Sequence, residues 1–297
     1  MYQMRSNALA RILPLDVETS IAGLPLDIDS LRTSLFKRPE LVPEFVRYSR
    51  EASFFHNLLQ TQLKQIPPGS RIIEIGSGVG LLSMMLSADG FWIEGFEPFS
   101  HGYEKAQLVH DALVKSWTGP PVAFHDFEFQ KAATNEAAPT FFLAINVMEH
   151  VMNPKSLLQT VRDEMAPADS FRLIFPNYTI PYEPHFNIPV AFTKGLTYRL
   201  MGPVIRHLRP TDYLAFWGDL SFPKHQPFVR LCHELGFIVQ SSNAASLKYV
   251  ERLKDTNFTS RKGWGFRALA ISHPLLTRAF RALPHRWLPV ADLTITI

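Results

Sequence analysis

The stretch Arg71-Ile72-Ile73-Glu74-Ile75-Gly76-Ser77-Gly78-Val79-Gly80-Leu81 decides the reading of this chain. Its first five residues follow the turn Pro67-Pro68-Gly69 and form a short apolar run, the mark of a buried strand. Residues 81–87 then read as a helix ended by Asp89-Gly90. Between the two, glycines let the backbone turn sharply and approach a ligand closely. The helix start behind them offers N–H groups to a polar or anionic group. A dinucleotide site wants Gly-x-Gly-x-x-Gly/Ala, whose third small residue lets helix and strand pack. Counted from Gly76, that third place is Leu81, and the fit fails there. Glu74 stands two residues before the first glycine. A carboxylate there repels a pyrophosphate and suits the ammonium end of an amino-acid-bearing ligand.

Working outward, strand and helix signals alternate. Strands are expected at 91–96, 122–125, 140–145 and 170–175. Helices are expected at 103–117 and from Asn153-Pro154 to about Met165, with proline in the first turn. Upstream, a helix is expected over 42–65. Downstream, residues 228–235 read as a helix stopped by Gly236, and 237–240 as a strand. Residues 290–297 alternate weakly and suggest a closing edge strand. Strands alternating with helices imply βαβ units and a parallel sheet, whose ligands bind beyond the carboxyl ends of the strands. Three such ends carry chemistry. Glu97 closes the second strand, 21 residues after Gly76, where a carboxylate can accept from both hydroxyls of a ribose. His125-Asp126-Phe127 closes the third: Asp126 can accept from an adenine amino group and Phe127 can lie against the ring. Ile145-Asn146-Val147-Met148-Glu149-His150-Val151 closes the fourth.

Composition bounds the class. The 297 residues are 46% hydrophobic and 19% charged, enough for a sizeable core and too apolar for disorder. A net charge of +3 is low for a bulk polyanion binder. The single cysteine, Cys232, excludes a disulfide scaffold and a cysteine zinc ribbon, and reads as a packing residue on an amphipathic helix. No secretory leader and no membrane-spanning run is evident, so a cytoplasmic location is expected. Charge is uneven: residues 251–297 carry eight Lys/Arg against three Asp/Glu. A second basic stretch holds Lys194, Arg199, Arg206 and Arg209 with no acid between Glu183 and Asp212.

The order Glu-x-Gly-x-Gly-x-Gly, then Glu97, then Asp126, then Asn-Val-Met-Glu-His-Val with Asn153-Pro154 resembles the class I S-adenosylmethionine-dependent methyltransferases. It looks most like the small-molecule branch in which Glu-His-Val follows strand four, as in quinone-biosynthesis-type enzymes. The resemblance covers residues 67–180 and, more faintly, 223–240. It implies an α/β fold: a doubly wound, seven-stranded, mostly parallel Rossmann-like sheet with one antiparallel strand. Residues 237–240 and 290–297 would be the last two strands. It also implies S-adenosylmethionine as cofactor. Glu74, Gly76, Ser77, Gly78 and Gly80 would line the methionine moiety, Glu97 would bind ribose, Asp126 and Phe127 would meet adenine, and Asn146 would border the sulfonium.

On this reading the chain divides into an N-terminal helical cap (1–66), the cofactor-binding core (67–180), a substrate lid or insert (181–222) and a C-terminal part with a basic helical insert (223–297). Methyl transfer depends chiefly on alignment, and a hydroxyl or amine acceptor also needs a base. His185 lies just after strand five, in the stretch 177–186, and titrates near neutral pH, which suits that role. His150 is a second catalytic candidate, with a core or helix-start histidine as the competing reading. No metal site is expected. The expected acceptor is a small or medium organic molecule, with oxygen favoured over nitrogen or carbon. The alternatives are a non-catalytic nucleotide-binding module and an NAD(P)-dependent oxidoreductase. The near-neutral core and the absence of an Asn/Asp-Pro-Pro-aromatic motif at Asn146 argue against a nucleic-acid acceptor. The basic, apolar segments 187–210 and 261–286 read as packed helices, a lid, or a surface for membrane or lipid-linked substrate contact.

Overall fold

The computed structural model describes residues 13–67, 69–99, 103–130, 139–208, 213–254 and 271–297. Pro68, Arg209 and the basic, aromatic run with Arg261, Lys262, Trp264, Phe266 and Arg267 lie outside the described residues. The chain forms two compact units, Met1–Phe142 and Leu143–Ile297.

The first unit opens with helices α1 (Leu15–Ile21), α2 (Ile28–Lys37) and α3 (Val42–Leu63). Asp27 caps α2 by accepting from the Ser30 amide at 3.0 Å. Then come β1 (Arg71–Ile75), α4 (Leu81–Ala88), β2 (Trp92–Phe96), α5 (Glu104–Ser116) and β3 (Val122–His125). β1 pairs with β2, and β2 with β3, both parallel. Every residue of β1 is buried, as a strand covered on both faces must be. Helix α4 is buried on nearly its whole circumference, matching its run of Leu and Met. The charges inside are paired: Arg71 on β1 donates to Glu94 on β2 at 2.6 and 2.9 Å, both side chains buried.

β4 (Thr140–Ile145) spans the boundary between the units. The second unit continues with α6 (Pro154–Glu164), β5 (Ser170–Pro176), a hairpin of β6 (Tyr182–Glu183) and β7 (Ile188–Pro189), then α7 (Lys194–Leu208) and α8 (Tyr213–Asp219). It ends with α9 (His225–Glu234), β8 (Ile238–Ser241), α10 (Ala244–Arg252), α11 (His273–Ala282) and β9 (Val290–Thr296). Asn153 caps α6, accepting from the Ser156 amide at 3.2 Å, with Pro154 in the first turn. Cys232 on α9 is fully buried, and burial pushes its thiol up to about 12, in keeping with a packing residue.

The seven strands run β3-β2-β1-β4-β5-β9-β8, a doubly wound, mostly parallel sheet. β9 is antiparallel to both β5 and β8. One expectation is corrected here: residues 290–297 do not close the sheet edge. β9 lies between β5 and β8, and β8 is the edge. The weak alternation misled because Asp292 reads as an outward polar position. It is buried and paired with Arg172 on β5, whose Nε and Nη2 each lie 3.1 Å from its carboxylate. Among the described residues, no helix is long and apolar enough to cross a membrane.

Candidate active site

In the first unit, the loop after β1 is tied to the end of β2. The Gly76 and Ser77 amides donate to the Phe96 carbonyl at 2.8 and 3.0 Å. The loop closes on Gly80, whose φ of +80° is a left-handed conformation that glycine adopts without penalty. Space is equally tight around it: a Cβ on Gly80 would stand 2.6 Å from Phe124 Cζ. On β2, a Cβ on Gly95 would stand 3.0 Å from the Ser77 side chain. Gly95 therefore lets the loop lie down on its neighbouring strand.

The two carboxylates expected around this loop are both present and differ in setting. Glu97 accepts from the Gly78 amide at 2.9 Å, so its carboxylate already holds the loop. Burial raises its pKa, while the Gly78 and Phe99 backbone N–H groups oppose the rise. Glu74 is 4% exposed and accepts from Ser83 Oγ on α4 at 2.5 Å. Burial pushes its carboxyl up to about 8; the Ser83 hydrogen bond opposes and the nearby Glu97 charge adds to it.

A cavity of about 360 Å³ opens beside the loop, lined in part by Ser77, Glu97 and Asp126. That size falls within the range of small-molecule sites. His125 also lines it, with residues the sequence reading missed: Phe99, Gln107, His110, Asp111 and Phe124. Gln107, His110 and Asp111 share one face of α5 at helical spacing, opposite the buried stripe of Ala106, Val109 and Leu113. That polar face was the available signal. Burial lowers the pKa of His110, whose Nδ1 lies 3.2 Å from the Val79 carbonyl. Phe127 is partly exposed and packs edge-on against Phe96 at 5.8 Å. Tyr48 on α3 approaches Gly78 and was also missed.

In the second unit, Asn146 leaves β4 with φ +54°, a left-handed conformation that asparagine tolerates better than most residues. Its amide donates to the Ile174 carbonyl at 2.8 Å. Glu149 and His150 follow in the turn before α6. After β5, Asn177 fixes the chain: its side-chain amide donates to the Arg286 and Leu288 carbonyls and accepts from the Thr179 and His225 amides. The hairpin β6–β7 comes next and carries His185 in its turn.

Glu183, fully buried on β6, organises that turn. It accepts from the Phe186 amide at 2.6 Å, from Tyr178 Oη at 3.1 Å and from His185 Nδ1 at 2.6 Å. Burial pushes the Glu183 carboxyl up, but hydrogen bonds from the His185 ring and from the Phe186 and His185 amides outweigh it, holding it below the usual range. An ionised Glu183 fixes the proton of His185 on Nδ1 and leaves Nε2 as the outer nitrogen. That nitrogen lies 3.9 Å from the buried Glu149 carboxylate. The rings of His150 and His185 are 5.3 Å apart, so the two catalytic candidates share one cluster. Phe216 packs edge-on to both at 5.4 and 5.3 Å, and Phe186, Trp217 and Tyr198 extend the aromatic wall.

Residues 46–241 match the family model described as a methyltransferase domain. Two uncharacterised proteins of Mycobacterium tuberculosis, from strains CDC 1551 / Oshkosh and H37Rv, are each 37% identical over 269 residues, covering 87% of this chain and 89% of theirs. Among solved structures, the mycolic acid cyclopropane synthase CmaA1 complexed with SAH and CTAB aligns at a TM-score of 0.48 and 15% identity, covering 96% of this chain and 99% of that one. An S-adenosylmethionine-dependent methyltransferase from Mesorhizobium loti aligns at 0.47 and 14%, covering 81% and 98%. The match over 46–241 contains the glycine loop, both acidic strand ends and the Glu-His-Val turn, and the chain belongs to the methyltransferase-domain family.

Proposed function

We propose that the chain methylates an oxygen atom of a small or medium organic acceptor that carries an apolar or aromatic part. When bound, S-adenosylmethionine supplies an electrophilic methyl group on a sulfonium sulfur. In this reading Glu74, Gly76, Ser77, Gly78 and Gly80 hold its methionine part. Glu97 takes the ribose hydroxyls, Asp126 and Phe127 meet adenine, and Asn146 borders the sulfonium. The cavity beside Ser77, Glu97 and Asp126 supports the fit. So does Glu74, whose raised pKa an incoming ammonium group would draw back down, favouring the ionised form.

The observation that carries oxygen as the target is the Glu183–His185 pair. A hydroxyl is a poor nucleophile until its proton leaves, and a neutral imidazole held by a carboxylate is suited to take it. His185 Nε2 is the accepting atom and Glu183 the positioning residue. The wall of Phe186, Phe216 and Trp217 beside it suits a ring or a chain on the acceptor. On α7, Leu196, Leu200, Val204 and Leu208 form an exposed stripe at four-residue spacing, which favours including lipid-linked hydroxyls among the candidates. The test is a panel of soluble phenols, alcohols and lipid-linked hydroxyl compounds with labelled S-adenosylmethionine, run on the wild type and His185→Ala. With any accepted compound, His185→Ala is expected to lower kcat by roughly 10²–10⁴-fold with cofactor affinity unchanged. Unchanged turnover removes His185 from the reaction.

A further inference from the structure

Glu149, His150 and His185 offer one carboxylate oxygen and two imidazole nitrogens, all within 4.8 Å of one another. We propose that these three side chains bind a divalent transition-metal ion, of which zinc and manganese are the representatives to test, and that the ion engages the acceptor hydroxyl. Two imidazoles and one carboxylate form a mixed nitrogen–oxygen donor set, which favours such ions over calcium or magnesium. Three protein ligands also leave positions open for an acceptor.

Two further features fit an ion. Glu149 is fully buried, and a carboxylate withdrawn from water is favoured by a cation beside it. His185 donates its Nδ1 proton to the buried Glu183 carboxylate at 2.6 Å, which leaves Nε2 facing Glu149. A ligating histidine held by a carboxylate on its other nitrogen is the usual supporting arrangement at metal sites. Tyr178 Oη and the Phe186 amide hold Glu183 in turn. Ligand bonds of about 2.1 Å would draw the three donor atoms inward by side-chain rotation.

The inference rests on the acceptor reading above and changes one step of it. His185 ligates the ion instead of taking the proton directly, and both roles need the same neutral imidazole protonated on Nδ1. Coordination lowers the pKa of the hydroxyl, whose O–H bond breaks with the proton passing to water. The oxygen's electron pair then forms the O–C bond to the methyl group as the C–S pair returns to sulfur.

The experiment uses the full chain, stripped with a chelator and titrated calorimetrically with Zn²⁺ and with Mn²⁺, the latter also followed by electron paramagnetic resonance. S-adenosylmethionine is titrated in parallel as the check of folding. Saturable binding of either ion is expected. His150→Gln should weaken it at least roughly tenfold, and Glu183→Gln, which touches only the supporting residue, by roughly 10–100-fold, with cofactor affinity unchanged. No saturable ion binding by a chain that still binds cofactor overturns the inference, as do variants that bind as the wild type does. Full turnover in chelator overturns the ion's role and leaves oxygen methylation standing. Ion binding without cofactor binding supports the site and counts against the cofactor assignment instead.

Discussion

Gly80→Ala is expected to weaken S-adenosylmethionine binding at least roughly tenfold, the counterpart of about 1.4 kcal/mol. Two costs act at once. The residue sits at φ +80°, where a side chain costs roughly 1–2 kcal/mol. The added Cβ would also stand 2.6 and 2.7 Å from Phe124 ring atoms and 3.2 Å from His110 Nδ1. Overpacking of that kind typically costs about 1–3 kcal/mol. Phe124 and His110 both line the cavity, so relief by moving them deforms the cradle itself. Gly90→Ala isolates the backbone cost. Gly90 has φ +96° with nothing within 4 Å of the new Cβ, so stability should fall modestly and cofactor affinity should hold. Calorimetry and thermal unfolding on both variants read the difference. Equal affinity in Gly80→Ala and wild type would mean that the loop does not hold the cofactor.

Arg172→Met is expected to destabilise the chain by about 3–5 kcal/mol, because it leaves a buried charge uncompensated. Asp292 is 1% exposed and takes both of its charged hydrogen bonds from Arg172 at 3.1 Å. The Ala245 amide, also at 3.1 Å, still donates to it, but an amide dipole does not neutralise a carboxylate. Adding Asp292→Asn removes the charge while keeping an oxygen for Ala245. The double variant should therefore be more stable than Arg172→Met alone. Urea unfolding of the wild type, both single variants and the double variant decides it. A double variant as unstable as the sum of its parts would show that shape, not charge, governs the β5–β9 contact.

These residues also show where sequence reading succeeds. The central strands were legible because both faces are covered and the runs are continuously apolar, as in Phe141 to Ile145. Strands 122–125 and 140–145 fall where they were expected. β9 was placed correctly in the chain but wrongly at the edge, since alternation cannot distinguish an exposed aspartate from one buried against an arginine. The β6–β7 hairpin could not be foreseen: strands of two residues carry no periodicity, and a single carboxylate, Glu183, holds the turn together.

The site divides in the same way. Glu74, the glycines, Glu97 and Asp126 sit at strand ends and can be located by counting along the chain. Tyr48, His110 and Phe124 reach the loop from separate elements, and no short motif links them. His150 and His185 were singled out separately, 35 positions apart in sequence, and their proximity is visible only in three dimensions. Both expected catalytic histidines lie in one cluster with Glu149, an acid that the sequence reading used only as part of a motif.

The central claim is that the glycine loop and Glu97 hold S-adenosylmethionine. It is tested most directly by isothermal titration of the full chain with S-adenosylmethionine and S-adenosylhomocysteine, with NADH as the control and Glu97→Ala alongside. Glu97 accepts from the Gly78 amide, so removing it loosens the loop and, on the proposed reading, also takes away the ribose contact. Saturable binding of both adenosyl ligands by the wild type, none of NADH, and loss in a folded Glu97→Ala chain is the expected result. A folded wild-type chain that binds neither adenosyl ligand, or a Glu97→Ala chain that binds them unchanged, would contradict it.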